Sequence, residues 1–220
     1  MSAPQPSFLA SPVRPKLKLP RGACDVHFHV FGPQKKFPFA ANRTYTPADA
    51  PKDALFAMHK LMGIERGVVV QSAAHGIDNS AAADLMKSDA NYRGVALLPV
   101  SVSENDLKKL HEQGFRGVRF NYMKHLGEGA PIAEVMSFAG KLAGFGWHLQ
   151  IHMDSSLIAQ MAPAIRRSPV PVVIDHMGRV DASLGLGQQP FRDLMDLLRS
   201  KDIWVKVSGC ERSSRQASPW

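Results

Sequence analysis

Short apolar runs and longer amphipathic stretches alternate along the chain from residue 24 onward. The apolar runs are nearly continuous, which is typical of strands buried on both faces of a parallel sheet. The stretches between them repeat apolar residues at helical spacing and are long enough to serve as crossovers. The pattern predicts seven strands, at 24–30, 67–71, 94–99, 117–120, 147–152, 171–175 and 203–207, and six helices, at 52–62, 79–87, 104–113, 132–142, 157–165 and 191–199.

Two architectures fit this alternation, an open doubly wound sheet and a closed eight-fold barrel. A dinucleotide-binding sheet would follow its first strand with a Gly-rich loop, whereas here the first strand itself carries Asp25, His27 and His29. Polar residues also end the later strands, where barrels place their active sites. We therefore predict an α/β fold, a TIM-type (β/α)8 barrel over 23–220 that is incomplete because its eighth strand is missing, after an extended N-terminal arm at 1–22.

Composition narrows the class of partner. The net charge of +8 suits an anion, but the basic residues are scattered, so we predict a small polycarboxylate rather than nucleic acid. Two cysteines in no metal-binding spacing favour a reduced, cytoplasmic setting. No run approaches the roughly 18 apolar residues that a membrane span needs, so no membrane contact is predicted.

Four histidines are candidates for the chemistry. His27 and His29 lie two apart on one strand, so both imidazoles are expected to face one cavity. His152 and His176 follow two later strands, whose ends a barrel would bring to the same site. Such a cluster either holds a divalent metal or polarises a carbonyl without one, and the spacing leaves both options open.

Cationic residues form the second group of candidates. Arg119, Arg179 and Arg212 each lie at or just after a predicted strand. Because guanidinium groups bind carboxylates through two parallel hydrogen bonds, several of them around one pocket predict a substrate with more than one carboxylate. His125, after the fourth strand, and Tyr45, on the long first loop, are expected at the rim.

The motifs together resemble a known family. The run Asp25-Val26-His27-Phe28-His29-Val30-Phe31-Gly32-Pro33, followed by Phe37-Pro38-Phe39 and Tyr45, is similar to the start of the 2-pyrone-4,6-dicarboxylate lactonases of the amidohydrolase superfamily. Similar motifs follow on the fourth, sixth and seventh strands: Gly117-Val118-Arg119-Phe120-Asn121, Val173-Ile174-Asp175-His176-Met177-Gly178-Arg179, and Trp204-Val205-Lys206 with Glu211-Arg212. The resemblance covers about residues 20 to 212.

The resemblance implies a hydrolase that opens a small carboxylated lactone in the breakdown of aromatic compounds. Water adds to the ester carbonyl, which His27, His29 and His176 polarise, and no cofactor is required. Charged groups of the substrate are bound by the remaining candidates, namely Tyr45, Arg119, His125, His152, Arg179 and Arg212.

Departures from the family pattern keep alternatives open. His152 stands where the lactonases resembled here have a tyrosine, so a divalent metal such as zinc on His27, His29 and His152 is a second option. His125 stands where an arginine is expected. The family's general base is an aspartate after an eighth strand, so we expect the 220-residue chain to be a fragment with impaired activity.

Three other functions are therefore kept as alternatives. The first is hydrolysis of another lactone, such as a sulfomuconolactone or a sugar lactone, and the second is metal-dependent decarboxylation. The third, from a different class, is a catalytically dead fragment that binds anions.

Overall fold

The computed structural model describes residues 8, 9, 11–127 and 129–217. The chain divides into two compact units, one formed by Met1–Pro99 with Asn105–Arg116 and the other by Val100–Glu104 with Gly117–Trp220. Among the described residues, no helix is long and apolar enough to cross a bilayer.

The first unit alternates strands and helices, and its three complete strands are parallel. Glycines allow aromatic rings from the next strand to cover these strands closely: a Cβ at Gly94 would lie 2.7 Å from the Phe115 ring. Val69, Val70, Val95 and Ala96 are at most 1% exposed. The elements are β1 (Cys24–Phe28), α1 (Lys52–Met62), β2 (Arg66–Val70), α2 (Ser80–Ser88), β3 (Tyr92–Leu97) and α3 (Glu104–Glu112).

The second unit continues the alternation with parallel strands in register. Gly117 pairs with His148, and a Cβ at Gly117 would lie 2.5 Å from the His148 ring, so the glycine makes room for that side chain. The elements are β4 (Phe115–Tyr122, which begins in the first unit), α4 (Ile132–Ala143), β5 (His148–Met153), α5 (Ile158–Ile165), β6 (Val172–Ile174), α6 (Gln189–Leu197), β7 (Ile203–Val205) and the short α7 (Cys210–Ser213).

Every predicted strand and helix is present, and no bound differs from the prediction by more than two residues. The differences fall mainly at strand ends. β6 stops at Ile174 because the backbone then turns: His176 and Met177 have φ values of 52° and 53°, which no strand accommodates.

One feature of β1 departs from simple alternation. Asp25 pairs with Gly67 and Phe28 with Val69, so β1 has one more residue than β2 between the two pairs, as in a β-bulge. Asp25 and Phe28, three residues apart, therefore both contact His59 of α1. Because of the bulge, the side chain of Asp25 does not follow the two-residue alternation of a regular strand.

Candidate functional site

In the first unit, β1 brings the two candidate histidines together. The ring centroids of His27 and His29 lie 5.3 Å apart, at nearly right angles, and both residues are half-buried. The Nδ1 atom of His29 lies 2.7 Å from the carbonyl oxygen of Val70. Because a carbonyl only accepts, the Nδ1–H of His29 donates there, and Nε2 is the atom directed to other chemistry.

Tyr45 lies next to the end of β2 in the same unit. Its hydroxyl is 2.8 Å from Oγ of Ser72, which is 2% exposed and accepts a hydrogen bond from the backbone N–H of Ala74. Tyr45 itself is 41% exposed. A buried serine thus holds the hydroxyl of an otherwise accessible tyrosine, which suits a residue that contacts a ligand.

In the second unit, the ends of β4 to β7 carry a buried charge network around Asp175. Its Oδ2 accepts hydrogen bonds from Nε of Arg119 (2.7 Å) and Nε2 of Gln150 (3.0 Å). Nζ of Lys206 lies 3.7 Å from Oδ1 of Asp175 and donates to Oε1 of Gln150 at 2.8 Å. Arg119 and Lys206 are only 5% and 9% exposed, so two cations and one carboxylate leave a net charge of +1 away from water.

Strand register explains this network, and one residue of the sequence, Gln150, already indicates it. Arg119 on β4 pairs with Gln150 on β5, and Gln150 pairs with Val173 on β6, two residues before Asp175. Gln150 is a polar residue within an apolar strand and is fully buried. Since buried polar groups require partners, its position indicated an internal network.

His176 is held by a strained turn after β6. His176, Met177 and Arg179 all have φ values between 52° and 56°, a region in which side chains other than glycine are disfavoured. Backbone N–H groups of Met177 and Gly178 donate to the carbonyls of Lys206 and Asp175, and Nδ1 of His176 lies 2.9 Å from Oγ of Ser208. Strain of this kind persists where the surrounding structure fixes it, which is common in functional sites.

His152, at the end of β5, is buried and neutral. Its ring centroid lies 5.4 Å from that of His176, and its Nδ1 lies 3.2 Å from Oδ1 of Asn121. Burial, followed by repulsion from Arg119, lowers the pKa of His152 from 6.5 to about 2. Its Nε2 is buried without a hydrogen-bond partner in the described part of the chain. A buried acceptor of this kind calls for a donor, and a ligand or a bound metal would supply the missing contact.

The remaining candidates lie on the loops of the second unit. Burial and the neighbouring Arg212 lower the pKa of Arg179, so two guanidinium groups lie near one another. Arg212 is half-exposed and pairs with Glu211 at 3.0 Å. His125 is exposed on a single 3-10 turn at Lys124–Leu126. Within this unit, Arg119, His152, His176 and Arg179 share one electrostatic environment, because the charges of the other three act on His152.

The candidate metal ligands have the chemistry that a metal site needs. His27 lies on β1 of the first unit and His29 directly after it, and His152 lies on β5 of the second unit. The Nδ1 atoms of His29 and His152 each face an oxygen acceptor, the arrangement that orients metal-binding imidazoles with Nε2 as the ligand atom.

Comparison with known proteins gives one family and several relatives. A family model described as amidohydrolase matches residues 24–220. A 2-pyrone-4,6-dicarboxylate hydrolase from Comamonas testosteroni is 43% identical over 209 residues, which cover 94% of this chain and 68% of that protein. A 4-sulfomuconolactone hydrolase from Rhizobium radiobacter is 36% identical over 204 residues, which cover 92% of this chain and 68% of that protein.

Solved structures confirm the predicted fold class, an incomplete TIM-type (β/α)8 barrel. A probable 2-pyrone-4,6-dicarboxylic acid hydrolase from Acinetobacter baumannii, with citric acid bound, matches with a TM-score of 0.80 at 27% identity, over 90% of this chain and 73% of that one. A more distant amidohydrolase from Burkholderia multivorans, with bound zinc, matches with a TM-score of 0.60 at 16% identity, over 88% of this chain and 72% of that one.

Proposed function

Because this chain belongs to the amidohydrolase family, in the lactonase-like branch that its motifs predicted, we propose that it serves the hydrolysis of a small carboxylated lactone similar to 2-pyrone-4,6-dicarboxylate. The observation that carries the proposal is the buried cationic network of the second unit. Among the described contacts, Arg119 and Lys206 share one carboxylate, Asp175, so one further negative charge would balance the network. A substrate carboxylate would supply it.

The proposed roles follow from the chemistry of each group. Arg179 and Arg212 bind pendant carboxylates through their guanidinium forks, and Arg119 adds positive charge from within the network. Tyr45 and His125 contact the substrate from the loops. The neutral His152 accepts a hydrogen bond through Nε2, which suits a hydroxyl group or a water molecule better than a carboxylate.

Chemistry at the carbonyl is assigned to His27, His29 and His176. As water adds to the lactone carbonyl, negative charge develops on its oxygen, and imidazole N–H groups stabilise that charge. His29, whose Nδ1–H donates to Val70, can donate from Nε2 only as an imidazolium. The held Nδ1 atoms of His29 and His176 keep these rings from turning, so little reorganisation is needed in the transition state. The water itself needs a general base, and the family resemblance assigns that role to an aspartate after an eighth strand.

The deciding experiment is hydrolysis of 2-pyrone-4,6-dicarboxylate, followed by loss of the pyrone absorbance. The 220-residue chain is assayed beside a version extended through one further strand with its aspartate, and binding to each is measured by calorimetry. We expect both versions to bind and the extended one to turn over. Turnover by the short chain at the same rate would refute the assignment of the base, and binding without turnover in both would favour the dead anion-binding fragment.

Arg179→Gln tests the binding role in whichever version binds. Loss of one bidentate pair with a carboxylate should weaken binding about 10- to 100-fold, from a charge-assisted contact of about 1.5–3 kcal/mol. Arg199→Gln is the matched control, because Arg199 is an exposed arginine before β7, at the opposite end of that strand from Arg212. Equal losses in both variants would mean that the anion is attracted by overall charge and not by this site.

A sulfonated lactone is the second candidate substrate, since one relative is a 4-sulfomuconolactone hydrolase at 36% identity. Arginine forks bind a sulfonate as well as a carboxylate, so the same assay includes both compounds.

Zinc remains a further proposal, supported by the orientation of His29 and His152. Dialysis against zinc followed by metal analysis of wild type and His152→Gln tests it, and equal zinc content in the two would remove His152 from the ligand set. A cytoplasmic location and the absence of a nucleic-acid partner stay predictions.

A further inference from the structure

The first unit contains a second set of polar groups next to the His27–His29 strand, and the proposed reaction gives them no role. The hydroxyl of Tyr92 lies 2.9 Å from Nδ1 of His59, and Nε2 of His59 lies 3.3 Å from Oδ2 of Asp25. The other carboxylate oxygen of Asp25 accepts a hydrogen bond from the backbone N–H of His27 at 3.0 Å. A continuous chain of three hydrogen bonds thus ends at a candidate catalytic residue.

The register of three strands leaves room for this series of hydrogen bonds. Asp25, Gly67 and Tyr92 are aligned across β1, β2 and β3. Gly67 carries no side chain, and a Cβ there would lie 2.6 Å from the Tyr92 ring and 2.7 Å from the Phe28 ring. The imidazole of His59, from α1, lies between Asp25 and Tyr92 and is 1% exposed. His59 is therefore enclosed, Asp25 is 27% exposed, and the arrangement depends on glycine at the middle strand.

The chemistry of the three side chains determines which group donates and which accepts in each hydrogen bond. A carboxylate only accepts hydrogen bonds, so Nε2 of His59 must carry the proton that Asp25 receives. In a neutral imidazole, Nδ1 then has no proton and accepts from the hydroxyl of Tyr92. The rings of His59 and Tyr92 are close to parallel, at 9°, with their centroids 5.9 Å apart. Each donor and acceptor between Tyr92 and His27 is matched in this arrangement.

The series of hydrogen bonds ends at His27, where β1 is irregular. The bulge lies between Asp25 and Phe28, so it includes His27, and a bulge takes its extra residue out of the regular ladder. The carboxylate of Asp25 holds the backbone N–H of His27 at that point. Bulges are known to redirect side chains near active sites, so the bond that stabilises the bulge also sets the direction of the His27 imidazole.

We propose that Tyr92, His59 and Asp25 form a directed hydrogen-bond relay that fixes the bulged backbone at His27 and so positions its imidazole for lactone hydrolysis. The proposal rests on the proposed function for its effect on rate, but the relay itself is a property of the folded chain. Tyr92, His59 and Asp25 are positioning residues, since they act through His27.

The first test measures the protonated nitrogen of His59 by NMR and requires no enzymatic reaction. In the 220-residue chain with ¹⁵N-labelled histidine, the ring nitrogen shifts of His59 should show the proton on Nε2. Asp25→Asn should move it to Nδ1, because the asparagine amide would donate to Nε2 while its oxygen keeps the bond from His27. A proton on Nδ1 of His59 in the wild type, or the same tautomer in both proteins, would overturn the relay whatever the enzyme does.

The second test uses the version of the protein that hydrolyses a lactone. Asp25→Ala removes the acceptor of the His27 N–H and should lower kcat about 10-fold or more while leaving KM within about twofold. Asp25→Asn keeps that acceptor and should cost less. Tyr92→Phe should cost less than about threefold, since His59 still donates to Asp25. Asp25→Asn combined with Tyr92→Phe should lose more than the product of the two single losses, because the Nδ1–H of His59 then has no acceptor.

Tyr122→Phe is the matched control for Tyr92→Phe. The hydroxyl of Tyr122 also donates one hydrogen bond, to the carbonyl of Ala130, but it belongs to the second unit and has no part in the relay. It should keep the wild-type kcat. If Asp25→Ala keeps the wild-type kcat, the positioning role is wrong. If the wild type hydrolyses no lactone, the proposed function fails, and the nitrogen shifts alone decide on the relay.

Discussion

The buried, neutral His152 should make the stability of this chain depend on pH in the acid range. Its pKa is lowered from 6.5 to about 2, chiefly by burial. Below pH 6.5 the unfolded chain therefore binds a proton at this position that the folded chain does not. The contribution of His152 is fully present above pH 6.5 and is lost as the pH falls below that value.

The size of the effect follows from proton linkage. Each pH unit below 6.5 removes about 1.4 kcal/mol of stability for one such group, so the loss between pH 7 and pH 5 is about 2 kcal/mol. This value requires only that the folded-state pKa of His152 lie well below 5, which its position at 4% exposure supports. Nearby positive charge acts in the same direction, because Arg119 and Arg179 both disfavour a protonated ring.

His152→Gln isolates this contribution. The free energy of unfolding is measured by urea titration of wild type and variant at pH 5, 6 and 7, and the difference between the two proteins is compared across pH. The wild type should lose about 2 kcal/mol more than the variant between pH 7 and pH 5. His125→Gln, which removes an exposed imidazole from the same unit, is the control and should keep the wild-type slope. A pH-independent difference between wild type and His152→Gln would refute a buried neutral His152.

Two further predictions concern the same unit. Asp175→Asn leaves Arg119 and Lys206 buried without their carboxylate, so the free energy of unfolding at pH 7 should fall by about 3–5 kcal/mol, and a loss below about 1 kcal/mol would show that water screens the network. Gly209→Ala introduces a side chain at φ 71° with its Cβ 3.2 Å from Nδ1 of His176, so it should cost about 1–2 kcal/mol and shift the ¹⁵N signals of His176. Unchanged ring signals would mean that Gly209 does not hold His176 in place.

The sequence predicted the elements well because their signal is local. All seven strands and six helices follow from apolar runs and helical spacing, and His152 and His176 were expected at strand ends for the same reason. The network around Asp175 depends instead on which residues of β4, β5 and β6 are paired, and register cannot be read from one strand at a time. The single clue was Gln150, a polar residue inside an apolar strand.

The bulge in β1 shows a different limit. A two-residue period predicts one common direction for Asp25, His27 and His29, and it holds only while the strand is regular. One extra residue breaks the period, so Asp25 contacts His59 on α1. The bonds of His59 to Asp25 and Tyr92 become visible only when three strands and one helix are packed together.

The buried positive charge of the second unit links stability to binding. Two cations around one carboxylate cost free energy in the absence of a ligand, since their desolvation is only partly offset by Asp175. Burial lowers the pKa values of both His152 and Arg179, and neighbouring positive charge, from Arg119 and Arg212 respectively, lowers them further. A carboxylate ligand would reduce this repulsion in the folded chain and has no matching site in the unfolded chain, so binding must raise stability. The residues that weaken the ligand-free protein are therefore the ones that favour an anionic substrate, which is the compromise expected of a functional site.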